Sequence, residues 1–304
     1  MLAYGYRKFG GPAVFEALTQ PVIQPTGNQL VLETLAVNLN QQEQLERNGD
    51  DPNVTFPVIP GRDVVGRIIA MGPAVQDWSL GTVVAARTEH VYADQVCLDA
   101  DLAVTVPDNV TPADAVSLIT PGIIAHKTVR YYADIRPEQT VIVKGADTSV
   151  GLLTVQLAKR MGAHVIAVGV AASADTLTAL GVDQFVSSDR QNPTHVLADQ
   201  GDVVIDVDAA TNAGKADLAM AKFDATIVSF AHRLPATSKS INFQSIQPTN
   251  VISDQATLQL LFKLLSTDQL VTTVAATFPL TLQGIVQAHE ALERPHRGQL
   301  VVKK

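Results

Sequence analysis

The chain is short of several things at once, and each shortage excludes something. Of its 304 residues one is cysteine, Cys97, which rules out an internal disulfide and a four-cysteine zinc lobe. Set between Val96 and Leu98 in a strand-like run, Cys97 reads as a buried thiol and not as a nucleophile. No apolar run approaches the roughly 20 residues of a membrane span. Basic residues are outnumbered, 22 Lys and Arg against 30 Asp and Glu, and the net charge of −8 argues against nonspecific nucleic-acid binding. The opening Met1-Leu-Ala-Tyr-Gly-Tyr-Arg-Lys has no apolar segment after its basic residues, so no secretory signal is expected and the cytoplasm is the expected location. There is no internal repeat and no low-complexity linker. What is present is a hydrophobic content of 46% over enough length for a large core, most simply in two domains.

The first third reads as β structure. Strands are expected over Gln29–Asn38, Val64–Met71, Thr82–Ala86, Val91–Leu98 and Leu102–Val106, separated by Gly72-Pro73, Gly81 and Pro107-Asp108-Asn109. Thr111-Pro112 is a cap followed by proline at the first helical position, and a second helix is expected over Ile123–Tyr132 after Pro121-Gly122. From Thr140 the pattern changes to alternating strands and helices. Thr140–Lys144 is a β-branched strand, Gly145-Ala146-Asp147-Thr148-Ser149-Val150-Gly151 a glycine-bearing turn, and Leu152, Val155, Leu157, Ala158 and Met161 one face of a helix that stops at Gly162. A second strand, His164–Val168, completes a β-α-β unit. Further strands are expected at Gln184–Ser187, Asp202–Val207 and Ala225–Phe230, with helices over Ala174–Leu180 and Thr194–Gln200. That is a doubly wound parallel sheet, whose ligand lies at the carboxyl ends of the strands. A helix over Ala256–Leu265, a strand over Val271–Phe278, a helix over Leu282–Leu292 and a strand over Gly298–Val302 close the chain, and this tail can return to the β module. The expected class is α/β, with domains at 1–118, 119–248 and 249–304, the last completing the first.

In such a unit the first turn and the helix N-terminus present backbone N–H groups to a pyrophosphate. Here Thr148 stands at the middle glycine position and Asp147 beside it, and a carboxylate in that turn repels an anionic ligand by about 1 kcal/mol or more when both are shielded from water.

Taken in order, these residues resemble the medium-chain dehydrogenase/reductase superfamily, most closely its zinc-free quinone oxidoreductase branch, the zeta-crystallin-like proteins. The likeness rests on Asn40-Gln-Gln-Glu43 with Arg47-x-Gly49, on Phe56-Pro57-Val-Ile-Pro60-Gly61-Arg62-Asp63-Val-Val-Gly66, and on Tyr92-Ala93-Asp94. It extends through Pro121-Gly122-Ile-Ile-Ala125, Asp202-Val-Val-Ile-Asp206 and Gly298-Gln-Leu-Val301. It implies a GroES-like β module, a Rossmann-type sheet, and hydride transfer from a nicotinamide to a quinone or other small electrophilic carbonyl compound. It also implies that no zinc is used, because Asn40 and Arg62 occupy positions where zinc-dependent relatives carry cysteine and histidine.

Without a metal, charge on the acceptor oxygen falls to hydrogen-bond donors. Arg62 and Asn40 are the expected donors, with Tyr92 and then His126 behind them; each also has a plain structural reading, Arg62 on a turn, Asn40 as a helix cap, the other two as packed residues. The cofactor is expected to contact Gly145, Ala146, Thr148, Ser149, Val150 and Gly151, with Gly169, Ser173 and Gly122 nearby. Val168-Gly169-Val170-Ala171-Ala172-Ser173 holds no acid to accept a ribose 2′-hydroxyl, which leans toward NADPH over NADH, with Lys159 or Arg190 reaching in. Against an enzyme stand Asp147, Thr148, Ser149, Ile124 and Asp208, which favour a dinucleotide-binding sensor with little turnover, or a scaffold that has lost the cofactor. A homodimer is the family's common state.

Overall fold

The structure, a computed structural model, describes residues 1–50, 54–208 and 214–304. It divides into two compact units, one of residues 1–120 with 258–304 and one of residues 121–257.

The first unit opens with the antiparallel pair β1 (Leu2–Gly5) and β2 (Glu16–Thr19). Strand β3 (Gln29–Leu39) is followed by helix α1 (Gln41–Asn48), then by β4 (Asp63–Met71), β5 (Val83–Arg87), β6 (Gln95–Asp99) and β7 (Val104–Thr105). Tyr92 thus precedes β6 and does not belong to a strand, since Val91–Ala93 joins the fold through an isolated bridge from Ala3 to Ala93. Helix α2 (Pro112–Lys127) carries the chain onward through Pro121. The expected break at Pro121-Gly122 does not occur: buried Leu118, Ile119, Ile123 and Ala125 on either side outweigh the single N–H that proline lacks. Only Thr128–Tyr132 departs from α geometry, as a π turn.

The second unit begins with β8 (Thr140–Lys144), α3 (Ser149–Arg160) and β9 (His164–Gly169). It goes on with α4 (Ala174–Ala179), β10 (Gln184–Ser187), α5 (Pro193–Val196), β11 (Gly201–Asp206) and α6 (Lys215–Met220). It then adds β12 (Ala221–Ser229) and β13 (Asn242–Ser245), all strands running parallel in the order β10-β9-β8-β11-β12-β13. Its core gathers Ile142, Ile166, Val168, Val204 and Ile227 with Leu218 and Met220. The order runs one way from β8 to β10 and the other from β11 to β13, so the switch point lies between β8 and β11, where ligands of open α/β sheets bind.

Helix α7 (Asp254–Ser266) leads to β14 (Val274–Pro279), α8 (Leu282–Leu292) and β15 (Gln299–Lys303). The tail does return to the first unit: β15 lies antiparallel to β3, Leu300 opposite Leu39, in the seven-stranded sheet β14-β15-β3-β4-β5-β7 with β6 also on β3. Leu300, Val302, Ile285 and Ala288 join Leu30, Leu32, Val64 and Ile68 in one core. Cys97, on β6, is half-buried and not fully enclosed, with burial raising its thiol pKa. Among the described residues no helix is long and apolar enough to cross a membrane.

Candidate functional site

In the second unit, the turn between β8 and α3 is built on two glycines with separate duties. Gly145 adopts φ +72°, a left-handed conformation that costs a side chain strain. Gly151 lets α3 press against the turn, because a Cβ there would lie 2.0 Å from the Gly145 carbonyl oxygen. Ala146 is buried and donates its N–H to the Val168 oxygen at 3.0 Å. Thr148, the odd residue of the motif, is the N-cap of α3: its hydroxyl accepts the Gly151 N–H at 3.0 Å and donates to the Gly145 oxygen at 2.8 Å. It therefore satisfies one amide that a glycine would have left open. Ser149 and Val150, the first helical residues, keep N–H groups that no carbonyl one turn earlier in the helix can accept.

Asp147 does not block this mouth. Its carboxylate lies over Gly169 at the carboxyl end of β9, with Oδ2 3.4 Å from the Val170 nitrogen and Oδ1 3.0 Å from where a Gly169 Cβ would stand. Ser173 is buried and donates its hydroxyl to the Val170 oxygen at 2.6 Å. Gly122 is buried inside α2. At the switch point itself the Lys144 Nζ sits 2.7 Å from Asp206 and 3.4 Å from Asp217. Burial lifts the Asp206 pKa, with the neighbouring Asp217 charge adding to it. Burial opposes the charge on Lys144, but Asp217 and Asp206 more than offset it and raise its pKa. This trio pins the ends of β8 and β11 together. A hollow beside Tyr132, Arg136, Gln139, Thr226 and Asn242 lies near the starts of β8 and β13, away from the glycine turn.

In the first unit a second group of polar residues surrounds the start of α1. Asn40 is the N-cap, and the Glu43 carboxylate accepts its backbone N–H at 2.7 Å. The Asn40 side-chain amide donates to Asp63 at 3.1 Å and accepts from Asn38 at 3.2 Å. Asp63 is wholly buried and also accepts from Asn38 at 3.2 Å and from the Thr120 hydroxyl at 2.6 Å. Burial raises its pKa in spite of these donors. Glu43, also wholly buried, is pushed up to about 8 by burial, with Asp63 adding to the shift and the Asn40 N–H opposing it. Arg62 holds an ion pair to Glu46, lies 3.8 Å from Glu43, and borders a shallow groove with Pro60, Gly61, Glu89 and His90.

Arg62 and Asn40 thus meet through Glu43. Tyr92 is set behind them: it is 0% exposed, its hydroxyl has no hydrogen-bond partner among the described residues, and its ring fills the space beside Gly61, where a Cβ would lie 2.4 Å from it. His126 is buried in the second unit and shares a 3.0 Å contact with the Thr257 hydroxyl. The residues this pattern failed to announce are Lys144, Asp206 and Asp217 as a trio. The available signal was position, since Lys144 and Asp206 both end parallel strands.

Comparison with known proteins agrees with this architecture. Residues 26–111 match the family described as alcohol dehydrogenase GroES-like domain, and residues 149–266 the family described as zinc-binding dehydrogenase. The chain is 29% identical over 199 residues to a chloroplast envelope quinone oxidoreductase homolog of Arabidopsis thaliana, an alignment spanning 61% of this chain and 60% of that relative. The solved quinone oxidoreductase of Coxiella burnetii superposes with a TM-score of 0.84 at 26% identity, covering 100% of this chain and 99% of the other. The Escherichia coli quinone oxidoreductase, solved as a complex with NADPH, gives 0.87 at 21% identity over 100% of both chains. The chain belongs to the medium-chain dehydrogenase/reductase superfamily. Within it, its likeness is to the quinone oxidoreductase branch.

The Escherichia coli relative was solved with NADPH, and the residues present here fit a nicotinamide dinucleotide: the close turn that Gly145 and Gly151 allow, and the open amides of Ser149 and Val150, suit a pyrophosphate. They do not fit a zinc ion. The polar side chains gathered around the start of α1, Asn40, Glu43, Arg62 and Asp63, are an amide, two carboxyl groups and a guanidinium without thiolate or imidazole, and no group of three His, Cys, Asp or Glu placed to hold a metal occurs among the described residues.

Proposed function

We propose that this dehydrogenase/reductase moves hydride from a reduced nicotinamide dinucleotide to a quinone or another small electrophilic carbonyl compound without zinc. The observation that carries this reading is the glycine turn, whose two open amides follow β8, a strand that borders the switch point of a parallel sheet. When bound, the cofactor supplies the hydride; the protein supplies binding, orientation and stabilisation of negative charge on the acceptor oxygen.

For that last task Asn40 has a second amide N–H beyond the one given to Asp63, and Arg62 has N–H groups beyond those held by Glu46. Asp63 fixes the Asn40 amide, Glu43 the Asn40 backbone, and Glu46 the Arg62 charge. Tyr92 serves this arrangement by packing behind Gly61.

Stopped-flow mixing of the protein, loaded with reduced dinucleotide, with a panel of quinones and enones tests the proposal. Oxidation by at least one acceptor is expected, and Asn40→Ala should slow it about 100-fold, the scale of one oxyanion donor, with dinucleotide affinity unchanged. Tight cofactor binding without oxidation by any acceptor would favour the sensor reading.

A further inference from the structure

In an open parallel sheet of this kind the adenosine ribose rests at the carboxyl end of the second strand, and an acid there accepts its 2′-hydroxyl and repels a 2′-phosphate. Here that strand is β9, and the stretch from Gly169 to Ala174 contains no acid. The folded chain fills the position from another segment. Asp147 crosses from the turn after β8 to lie over Gly169, its Oδ2 3.4 Å from the Val170 nitrogen. From the opposite side Asp189, beyond β10, accepts the Ala171 N–H at 2.8 Å and the Ser187 hydroxyl at 2.7 Å. Two successive amides, which could each take a phosphate oxygen, therefore face carboxylates instead.

Two cations stand near this segment in the sequence. Lys159, the nearest lysine in the sequence, is committed to Asp183 at 2.7 Å at the amino end of β9, where Asp183 also accepts the Val165 N–H. Arg190 adjoins Asp189, where hydrogen bonds from Ser187 and Ala171, and lastly the Arg190 charge, hold the carboxyl below its ordinary range. Gly169 completes the arrangement, because a side chain there would meet the Asp147 carboxylate.

We propose that Asp147 is the ribose-recognising acid of this protein, presented by the glycine turn in place of the second strand, and that with Asp189 it selects NADH over NADPH. The inference rests on the dinucleotide reading above. It reverses the preference that the acid-free segment after β9 implied from sequence, because the deciding carboxylate comes from a different loop.

Titration of the full chain with NADH and NADPH, followed by calorimetry, tests it, with ADP-ribose and its 2′-phosphorylated form as probes that carry no hydride. NADH and ADP-ribose are expected to bind at least tenfold more tightly than their 2′-phosphorylated counterparts. Asp147→Asn should tighten NADPH at least fivefold and leave NADH equal or weaker; Asp189→Asn should shift the ratio the same way by less. Asp175→Asn, which neutralises the first acid that follows β9 in the sequence, should leave the ratio unchanged. Equal affinities in the wild-type protein, a preference for NADPH, or an Asp147→Asn effect of the same size on both cofactors would overturn the inference and leave the dinucleotide reading standing. Binding of neither cofactor would overturn both. Should Asp147→Asn fail to fold, the wild-type ratio and Asp189→Asn decide the matter.

Discussion

At the scale of single residues, the side chains of the glycine turn do work that glycine would not. Thr148 stands where the motif would have glycine, and it spends its hydroxyl on the Gly151 N–H and the Gly145 carbonyl. Thr148→Ala should therefore cost about 1 kcal/mol of stability in a urea titration, and Thr148→Gly only a few tenths, because glycine tolerates the cap conformation. A larger loss with glycine than with alanine would show that the hydroxyl is not capping. The backbone duties of Gly145 and Gly151 were legible in the sequence, since glycine takes a left-handed φ without strain and admits a backbone contact of 2 Å. The destination of the Asp147 carboxylate was not. It depends on which strand lies beside the turn in space, and spacing along the chain carries no such information. The same holds for Tyr92, whose flanking residues gave no sign that its ring would be sealed behind Gly61.

At the scale of elements, helix α1 and helix α8 bring opposite titration behaviour into the first unit. Glu43 on α1 keeps its proton up to about pH 8 when folded, whereas an ordinary glutamate releases it near 4.5. The unfolded chain thus loses this proton first, and stability falls as pH rises through that window. His289 on α8 behaves in the reverse sense. Burial, with the Arg47 charge beside it, pushes its pKa down to about 3 from 6.5, so its share of stability is complete above 6.5 and lost as pH falls toward 3. Asp63, raised in the same direction as Glu43, adds to the decline with rising pH, while Arg62 stays charged throughout. The slopes of Glu43 and His289 oppose each other between about 4.5 and 6.5, where these two groups together leave stability nearly level. Thermal melts across pH 3 to 9 would test this. Glu43→Gln should flatten the alkaline limb and His289→Gln the acid limb; an unchanged alkaline limb in Glu43→Gln would assign it to other groups. Legibility at this scale followed composition. Strands rich in valine and isoleucine, such as β8 and β11, declared themselves. Strand β13, written Asn-Phe-Gln-Ser at the sheet edge, and the short α6 did not, because an edge strand needs no apolar face.

At the scale of the whole molecule, the alternation of strand and helix after Thr140 was enough to read a doubly wound parallel sheet, while the run of short strands before it gave an all-β module, barrel-like or sandwiched. The chain path is the less usual feature. The second unit is one continuous stretch, whereas the first is assembled from both ends, with β15 lying between β14 and β3. Val301, wholly buried on β15, tests the cooperativity that this path implies. Val301→Asp places an unpaired charge in the core and should cost at least about 3 kcal/mol. Hydrogen exchange should then quicken throughout β3, β4 and β14 while β8 and β11 keep their protection. Equal quickening in both sets would mean that the two units unfold as one.

That placement of the last strand also sets a timetable. As the polypeptide leaves the ribosome, one flank of β3 waits for a neighbour about 260 residues downstream, while everything needed for the parallel sheet arrives in a single block. The middle of the protein can mature first, and the half bearing Asn40 and Arg62 remains an open seam through most of synthesis, the period in which chaperone capture would matter most to it.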